Sequence, residues 1–172
     1  MSKGLDYSTF IEKLTELDDD GDCRLSEKQF NTLLQDIPIC KKEDFEKIAF
    51  NGLKDRKTNT IDFNHIRVLY EAAYTNFKCK AMLLILFRGI ARNRDRRVNL
   101  QQYQSIAKII QSEYNEDITK SNFDNLDENK TGKVTYPQVA QSLFGIHVSQ
   151  KENPFKEIIE VRSPHTGCCL LL

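Results

Sequence analysis

Apolar residues along this chain fall in a pattern that occurs four times. Each occurrence opens with a helical stripe whose last two members lie three residues apart: Leu14 and Leu17, Phe50 and Leu53, Phe87 and Ile90, Phe123 and Leu126. That spacing places the side chains on one face of an α-helix, and Phe10 and Leu83 carry two of the stripes back by a turn. A polar stretch follows, interrupted by a single β-branched or leucine residue at Leu25, Ile61, Val98 and Val134. These four recur every 36 or 37 residues, and a period of that size marks a supersecondary unit used repeatedly. An apolar residue then reopens the helical pattern at Phe30, Ile66, Tyr103 and Val139. The expectation is an all-α chain of four helix–loop–helix units.

The polar stretches are where chemistry can reside. In the first, LDDDGDCRLSEKQF, carboxylates stand at every second residue, Asp18, Asp20 and Asp22. Oxygen ligands at alternate positions of a tight loop suit a hard cation such as Ca²⁺, which gathers about six to eight oxygens. With Asp18 as position 1, Asp20 and Asp22 are positions 3 and 5, and Arg24 at position 7 offers its backbone carbonyl. Ser26 and Gln29 are positions 9 and 12. The repeat spacing and this loop resemble calmodulin and troponin C of the EF-hand superfamily, over residues 7–145. The resemblance implies two lobes of paired units, each pair joined by a short antiparallel β contact, Leu25 with Ile61 and Val98 with Val134. It divides the chain into an N-terminal lobe (residues 1–69, loops 18–29 and 54–65), a linker helix (70–80), a C-terminal lobe (81–145, loops 91–102 and 127–138) and a tail (146–172).

Against that pattern every loop departs at position 12, where a glutamate is expected. The first has Gln29 there and Cys23 where position 6 calls for glycine, so weak Ca²⁺ binding is the most it should show. The second offers Lys54, Arg56, Thr58, Asp62 and His65 at positions 1, 3, 5, 9 and 12, and two of these are cations. The third has Ala91, Asn93, Asp95, Asn99 and Gln102 among Arg88, Arg92, Arg94, Arg96 and Arg97, a field that one carboxylate does not offset. Neither should hold a metal. The fourth keeps Asp127, Asn129, Thr131, Gly132, Thr135 and the carbonyl of Lys133, but closes with Gln138, and should be weaker than the first. Pro137 is tolerated because it falls in the first turn of the exiting helix. Without a closing carboxylate, Ca²⁺-driven opening is not expected.

Composition removes several function classes. Lys plus Arg and Asp plus Glu both number 25, so net charge exerts no pull toward nucleic acid. The three histidines, His65, His147 and His165, lack a nucleophile or carboxylate at motif spacing, and no phosphate-cradling glycine loop occurs, which argues against an enzyme or a small-molecule substrate. The longest apolar run, residues 81–87, is too short to span a bilayer, and no leader pattern opens the chain. Five cysteines without zinc-like spacing read as reduced thiols of a cytoplasmic protein.

The last residues are Cys169-Leu170-Leu171-Leu172, which fit a C-a-a-X box of the geranylgeranyl type. One prenyl chain anchors only marginally, and Cys168 is the candidate for a second, acyl anchor. The expected location is the cytoplasmic face of a membrane. Between the lobes, YEAAYTNFKCK has neither Gly nor Pro and permits a continuous helix. In the tail, Phe155, Ile158 and Ile159 predict a short amphipathic helix in FKEIIEVR, either docked near Phe123, Val139 and Phe144 as an internal stand-in for a target or serving as a solvated tether between lobe and lipid. The function expected is a lipid-anchored, calmodulin-like adaptor that grips an amphipathic helix of a protein target with weak or no Ca²⁺ dependence. The alternatives are a weak Ca²⁺ sensor using the first and fourth loops and a structural subunit resembling a myosin light chain.

Overall fold

The computed structural model describes residues 6–37, 39–91 and 95–160. Arg92, Asn93, Arg94, Cys168, Cys169 and the last two residues of FKEIIEVR lie outside the described residues. The described residues are mostly helical with two small antiparallel sheets. The N-terminal half runs α1 (Tyr7–Leu17), β1 (Arg24–Leu25), α2 (Glu27–Asp36), α3 (Phe45–Leu53), β2 (Ile61–Asp62) and α4 (Phe63–Thr75). The C-terminal half runs α5 (Lys80–Ile90), β3 (Arg97–Asn99), α6 (Leu100–Ile110), α7 (Glu116–Leu126), β4 (Lys133–Thr135) and α8 (Tyr136–Val139). A π-helical turn, Ala140–Phe144, prolongs α8 and ends on Gly145, whose φ of 69° permits the left-handed stop.

Local chemistry sets the helix starts. The first N–H groups of a helix have no intrahelical acceptor, so a polar side chain just ahead of the helix completes them. Ser26 accepts from the Gln29 N–H, Asp62 from His65, Asn99 from Gln102 and Asn115 from Ile118. Pro137 sits in the first turn of α8, where its missing N–H costs nothing.

The two sheets pair in the expected register. Leu25 faces Ile61, and Val98 faces Val134. All four side chains are fully buried, so each small sheet also closes the apolar interior of its half. Burial of a side chain of this size is worth about 1.5–3 kcal/mol, and a shift of one residue would turn the same side chains to solvent. The Phe63 N–H extends the first ladder to the Cys23 carbonyl, and the Tyr136 N–H extends the second to that of Arg96. Around the sheets, Phe10 stacks on Tyr70 with ring centres 4.2 Å apart, while Phe87 meets Tyr136 edge-on at 4.9 Å.

Two expectations about the connections are corrected. The helix expected across residues 70–80 is interrupted: α4 ends at Thr75, and Asn76 takes an extended conformation at φ −157° and ψ 100°. The cause is local, since the Asn76 side chain accepts from the Lys78 N–H at 3.0 Å and the Cys79 sulfur caps α5. The break lets α5 return against α3. Gly52 and Gly89 mark the crossing, because a methyl group on Gly52 would collide with the Ile85 carbonyl oxygen and one on Gly89 with that of Ile48. The halves are therefore joined by a tight helix crossing.

The tail is the second correction. Residues 155–160 form a turn, a bend and irregular chain rather than a helix, and Ile158 is 79% exposed while Ile159 is buried. The segment is nonetheless docked, mainly through α5. Arg88 donates its Nε–H to the Pro154 carbonyl at 2.5 Å and a second N–H to the Glu157 carbonyl. Phe155 lies 6.3 Å from Phe87, centre to centre, and Lys80 pairs with Glu152 at 2.8 Å. Backbone carbonyls of the tail point at Arg88, and a helix would have spent them on its own N–H groups.

Candidate functional site

The first loop brings its three carboxylates together. One oxygen from each of Asp18, Asp20 and Asp22 lies within 4.8 Å of the others, and among the described residues this is the acidic cluster with the shape of a cation seat. The loop also organises itself through those same groups. Asp18 accepts the Asp22 N–H at 3.2 Å on one oxygen and the Cys23 N–H at 2.9 Å on the other, and Asp22 accepts the Arg24 N–H at 2.9 Å. Gly21 and Cys23 both have positive φ, 70° and 59°. For Cys23 the left-handed conformation crowds its Cβ, a cost on the order of 1–2 kcal/mol.

The fourth loop repeats this geometry with fewer charges. Asp127 accepts the Thr131 N–H at 2.9 Å and its hydroxyl at 2.8 Å, and takes the Gly132 N–H at 2.6 Å. Lys130 and Gly132, at positions 4 and 6, have φ of 51° and 74°, matching Gly21 and Cys23. Partial burial pushes the Asp127 carboxyl up, but the bonds from Thr131, Gly132 and Lys133 outweigh it and hold the group below the usual carboxylate range. The Thr131 hydroxyl lies within hydrogen-bond distance of both Asp127 and the Lys133 carbonyl, so three expected ligands of this loop are tied to one another. Asn129 remains on the exposed surface.

Position 7, expected to offer only a carbonyl, also acts through its side chain. Arg24 reaches across the first sheet to the Thr60 hydroxyl at 2.6 Å and the Thr58 hydroxyl at 3.0 Å. Lys133 does the same across the second sheet, pairing with Asp95 at 2.7 Å. That bond holds the Asp95 carboxyl below its ordinary range, and the Arg97 N–H contributes. The carboxylate of the third loop is thus committed to its neighbour.

Position 12 diverges most from a ligand role. Gln29 accepts the Ser26 N–H at 2.9 Å and donates to the Leu17 carbonyl at 2.5 Å. Gln138 accepts the Thr135 N–H at 2.8 Å and donates to the Leu126 carbonyl at 2.7 Å. Gln102, in a loop expected to be inert, accepts the Asn99 N–H at 2.9 Å and donates to the Ile90 carbonyl at 2.9 Å. The second loop works differently: His65 turns back to Asp62 at 3.2 Å, and Asp55 staples the turn by accepting the Lys57 and Thr58 N–H groups. Asp55 is not among the residues expected to act in this loop, although an Asp able to accept the backbone N–H two residues on is a turn signal.

Seen as a cation seat, the first loop supplies three carboxylates but keeps its position 12 amide turned to Leu17. The donor set fits a hard cation in part, and Cys168 and Cys169 lie outside the described residues. No protein-family model matches this chain, and no curated protein sequence matches it.

Proposed function

We propose that this chain is an EF-hand protein of calmodulin-like build with degenerate loops, which acts as an adaptor rather than as a Ca²⁺ sensor. The observation that supports this reading best is the shared geometry of the first and fourth loops. Each has an aspartate at position 1 gathering the N–H groups of positions 5 and 6, positive φ at positions 4 and 6, and an inward apolar residue at position 8 paired across a short sheet. The partner proposed is a protein target that offers an amphipathic helix. Among the described residues the exposed large apolar side chains are Tyr7, Tyr74, Ile118 and Ile158, so a target helix has to displace something. The docked tail is the segment proposed to yield: it is held by Arg88 and Lys80, and its Val148 and Ile159 occupy apolar interior that a target helix would take. Ca²⁺, where it binds at all, binds weakly at Asp18, Asp20 and Asp22.

The anchoring half of the proposal places a prenyl group on Cys169 and an acyl group on Cys168, at the cytoplasmic face of a membrane. Mass spectrometry of the native C-terminus tests it, together with fractionation of cells expressing Cys169→Ser and Cys168→Ser. The expected result is release of Cys169→Ser to the soluble fraction and weaker retention of Cys168→Ser. An unmodified native terminus would remove the anchor from the proposal. Calorimetric titration with Ca²⁺ tests the other half, and micromolar binding by the unaltered protein would turn the reading to a sensor.

A further inference from the structure

The three glutamines at position 12 share one arrangement. Each joins two points far apart in the chain: the N-cap residue that opens the exiting helix, and the last carbonyl of the helix that enters the loop. The carbonyl lies twelve residues back in every case, Leu17 for Gln29, Ile90 for Gln102 and Leu126 for Gln138. These carbonyls close helices, where the final C=O groups have no intrahelical donor of their own. The amide oxygen meanwhile accepts from Ser26, Asn99 and Thr135, which are themselves the caps of α2, α6 and α8. One side chain therefore satisfies an orphan donor and an orphan acceptor at once, and ties the two helices of a unit together.

We propose that Gln29, Gln102 and Gln138 are ion-independent clasps that close three of the four loops, holding position 12 on the protein's own backbone. The argument depends on the chemistry of the amide. A glutamate at the same position keeps the acceptor but loses the donor, and sets a carboxylate oxygen against a carbonyl oxygen. A glutamine has one good ligand oxygen with two lone pairs. At Gln29 and Gln138 both are engaged, by the N–H and the hydroxyl of Ser26 and of Thr135, and at Gln102 one is engaged by the Asn99 N–H. At the first and fourth loops a cation must therefore break a bond of the clasp to recruit that oxygen. Closure by the amide and closure by a cation thus exclude each other there. This deepens the adaptor reading by naming what replaces the ion, and it rests on that reading only for the descent of the loops. The hydrogen bonds stand without it.

The test uses the full chain in a chelator, with denaturant unfolding and amide hydrogen exchange of the loops followed from neutral to acid pH against the unaltered protein. At pH 7, Gln102→Glu and Gln138→Glu should each raise the unfolding constant about tenfold, the scale of an unsatisfied half-buried acceptor, and speed exchange in their loops. Gln101→Glu, one residue away on the exposed face of α6, should be neutral or slightly stabilising, since an acid near a helix N-terminus is favoured. The N-cap N–H and the helix N-terminus favour the charged carboxyl while the facing carbonyl disfavours it, and the clasp requires the carbonyl to dominate, so the carboxyl's pKa is raised in the folded state. Its penalty should therefore vanish as pH falls through the raised value toward the ordinary one of about 4.3, because the protonated group donates again. Gln138→Met should lose stability at every pH. If Gln102→Glu and Gln138→Glu behave like Gln101→Glu at pH 7, or if their deficit stays constant with pH, the clasp is overturned. These readouts involve neither membrane nor target, so they succeed or fail apart from the adaptor reading.

Discussion

The Lys133 ammonium lies 2.7 Å from the Asp95 carboxylate, and this pair links the fourth loop to the third beside the Val98–Val134 contact. Both side chains are well exposed, so water screens the attraction and the pair should contribute less than about 1 kcal/mol. A double-mutant cycle with Lys133→Met and Asp95→Asn is expected to return a small coupling energy that shrinks further in high salt. A coupling of several kcal/mol would mean that the pair, rather than the buried valines, sets the register of this sheet.

Acid should act through the loops. Asp55, Asp95 and Asp127 all have carboxyls held below their ordinary range, by backbone N–H groups at Asp55, by Lys133 at Asp95, and at Asp127 by hydrogen bonds that outweigh its desolvation. A group with a depressed folded pKa contributes stability above its unfolded value, about 3.9 for Asp, and loses that contribution as pH falls through the folded value. The stability curve should therefore be flat near neutrality and drop on the acid side of pH 4. Asp127→Asn should flatten part of that drop. Should the acid limb of Asp127→Asn coincide with that of the parent, the carboxylate contributes nothing as an acceptor in the folded state.

The crossing of α3 and α5 has no room for a side chain at Gly52 or Gly89. Gly89→Ala forces the Ile48 backbone away and should destabilise the protein by about 1–3 kcal/mol, the usual cost of overfilling a packed contact. Gly21→Ala offers a comparison, because its Cβ meets nothing within 4 Å and its cost comes from φ alone. Thermal unfolding of Gly52→Ala, Gly89→Ala and the pair would show non-additivity, since both relieve the same contact. Additive losses would place the two glycines in separate contacts.

Arg88 is half-buried, its pKa is pushed down by desolvation, and its recorded hydrogen bonds go to carbonyls of the tail. Arg88→Met should free residues 146–160, seen as faster exchange and protease cleavage in that segment and increased binding of an apolar dye. Truncation after Gly145 should go further and raise dye binding and target affinity together, because Val148 and Ile159 leave the interior. A truncated chain with unchanged dye binding would show that the tail covers nothing.

In the first loop, Cys23→Gly with Gln29→Glu should raise Ca²⁺ affinity, since it removes the strained Cβ and supplies a carboxylate at position 12. Calorimetry on the unaltered protein should give little or no heat at sensor concentrations. If the double variant binds no better than the parent, the carboxylate cluster at Asp18, Asp20 and Asp22 is a turn staple only.

Helix and loop positions could be read from the sequence, because they depend on periodicity and on a repeat whose members are alike, and the pairing of Leu25 with Ile61 and Val98 with Val134 followed from the resemblance that the repeat carries. The strain at Cys23 was also legible, since the loop pattern that the chain resembles calls for a left-handed residue at position 6. What the tertiary structure decided are relationships between elements. Asn76 broke the expected helix by accepting a nearby N–H, and the glycine crossing followed from the angle at which α5 returned. Arg88 drew carbonyls out of a tail segment whose spacing suggested a helix. The glutamines make the same point: from the sequence each is a lost carboxylate, and only the approach of two helix ends brings a carbonyl twelve residues away within reach of the amide. Periodicity specifies which face of an element is buried, but not which backbone group of another element a polar side chain will meet.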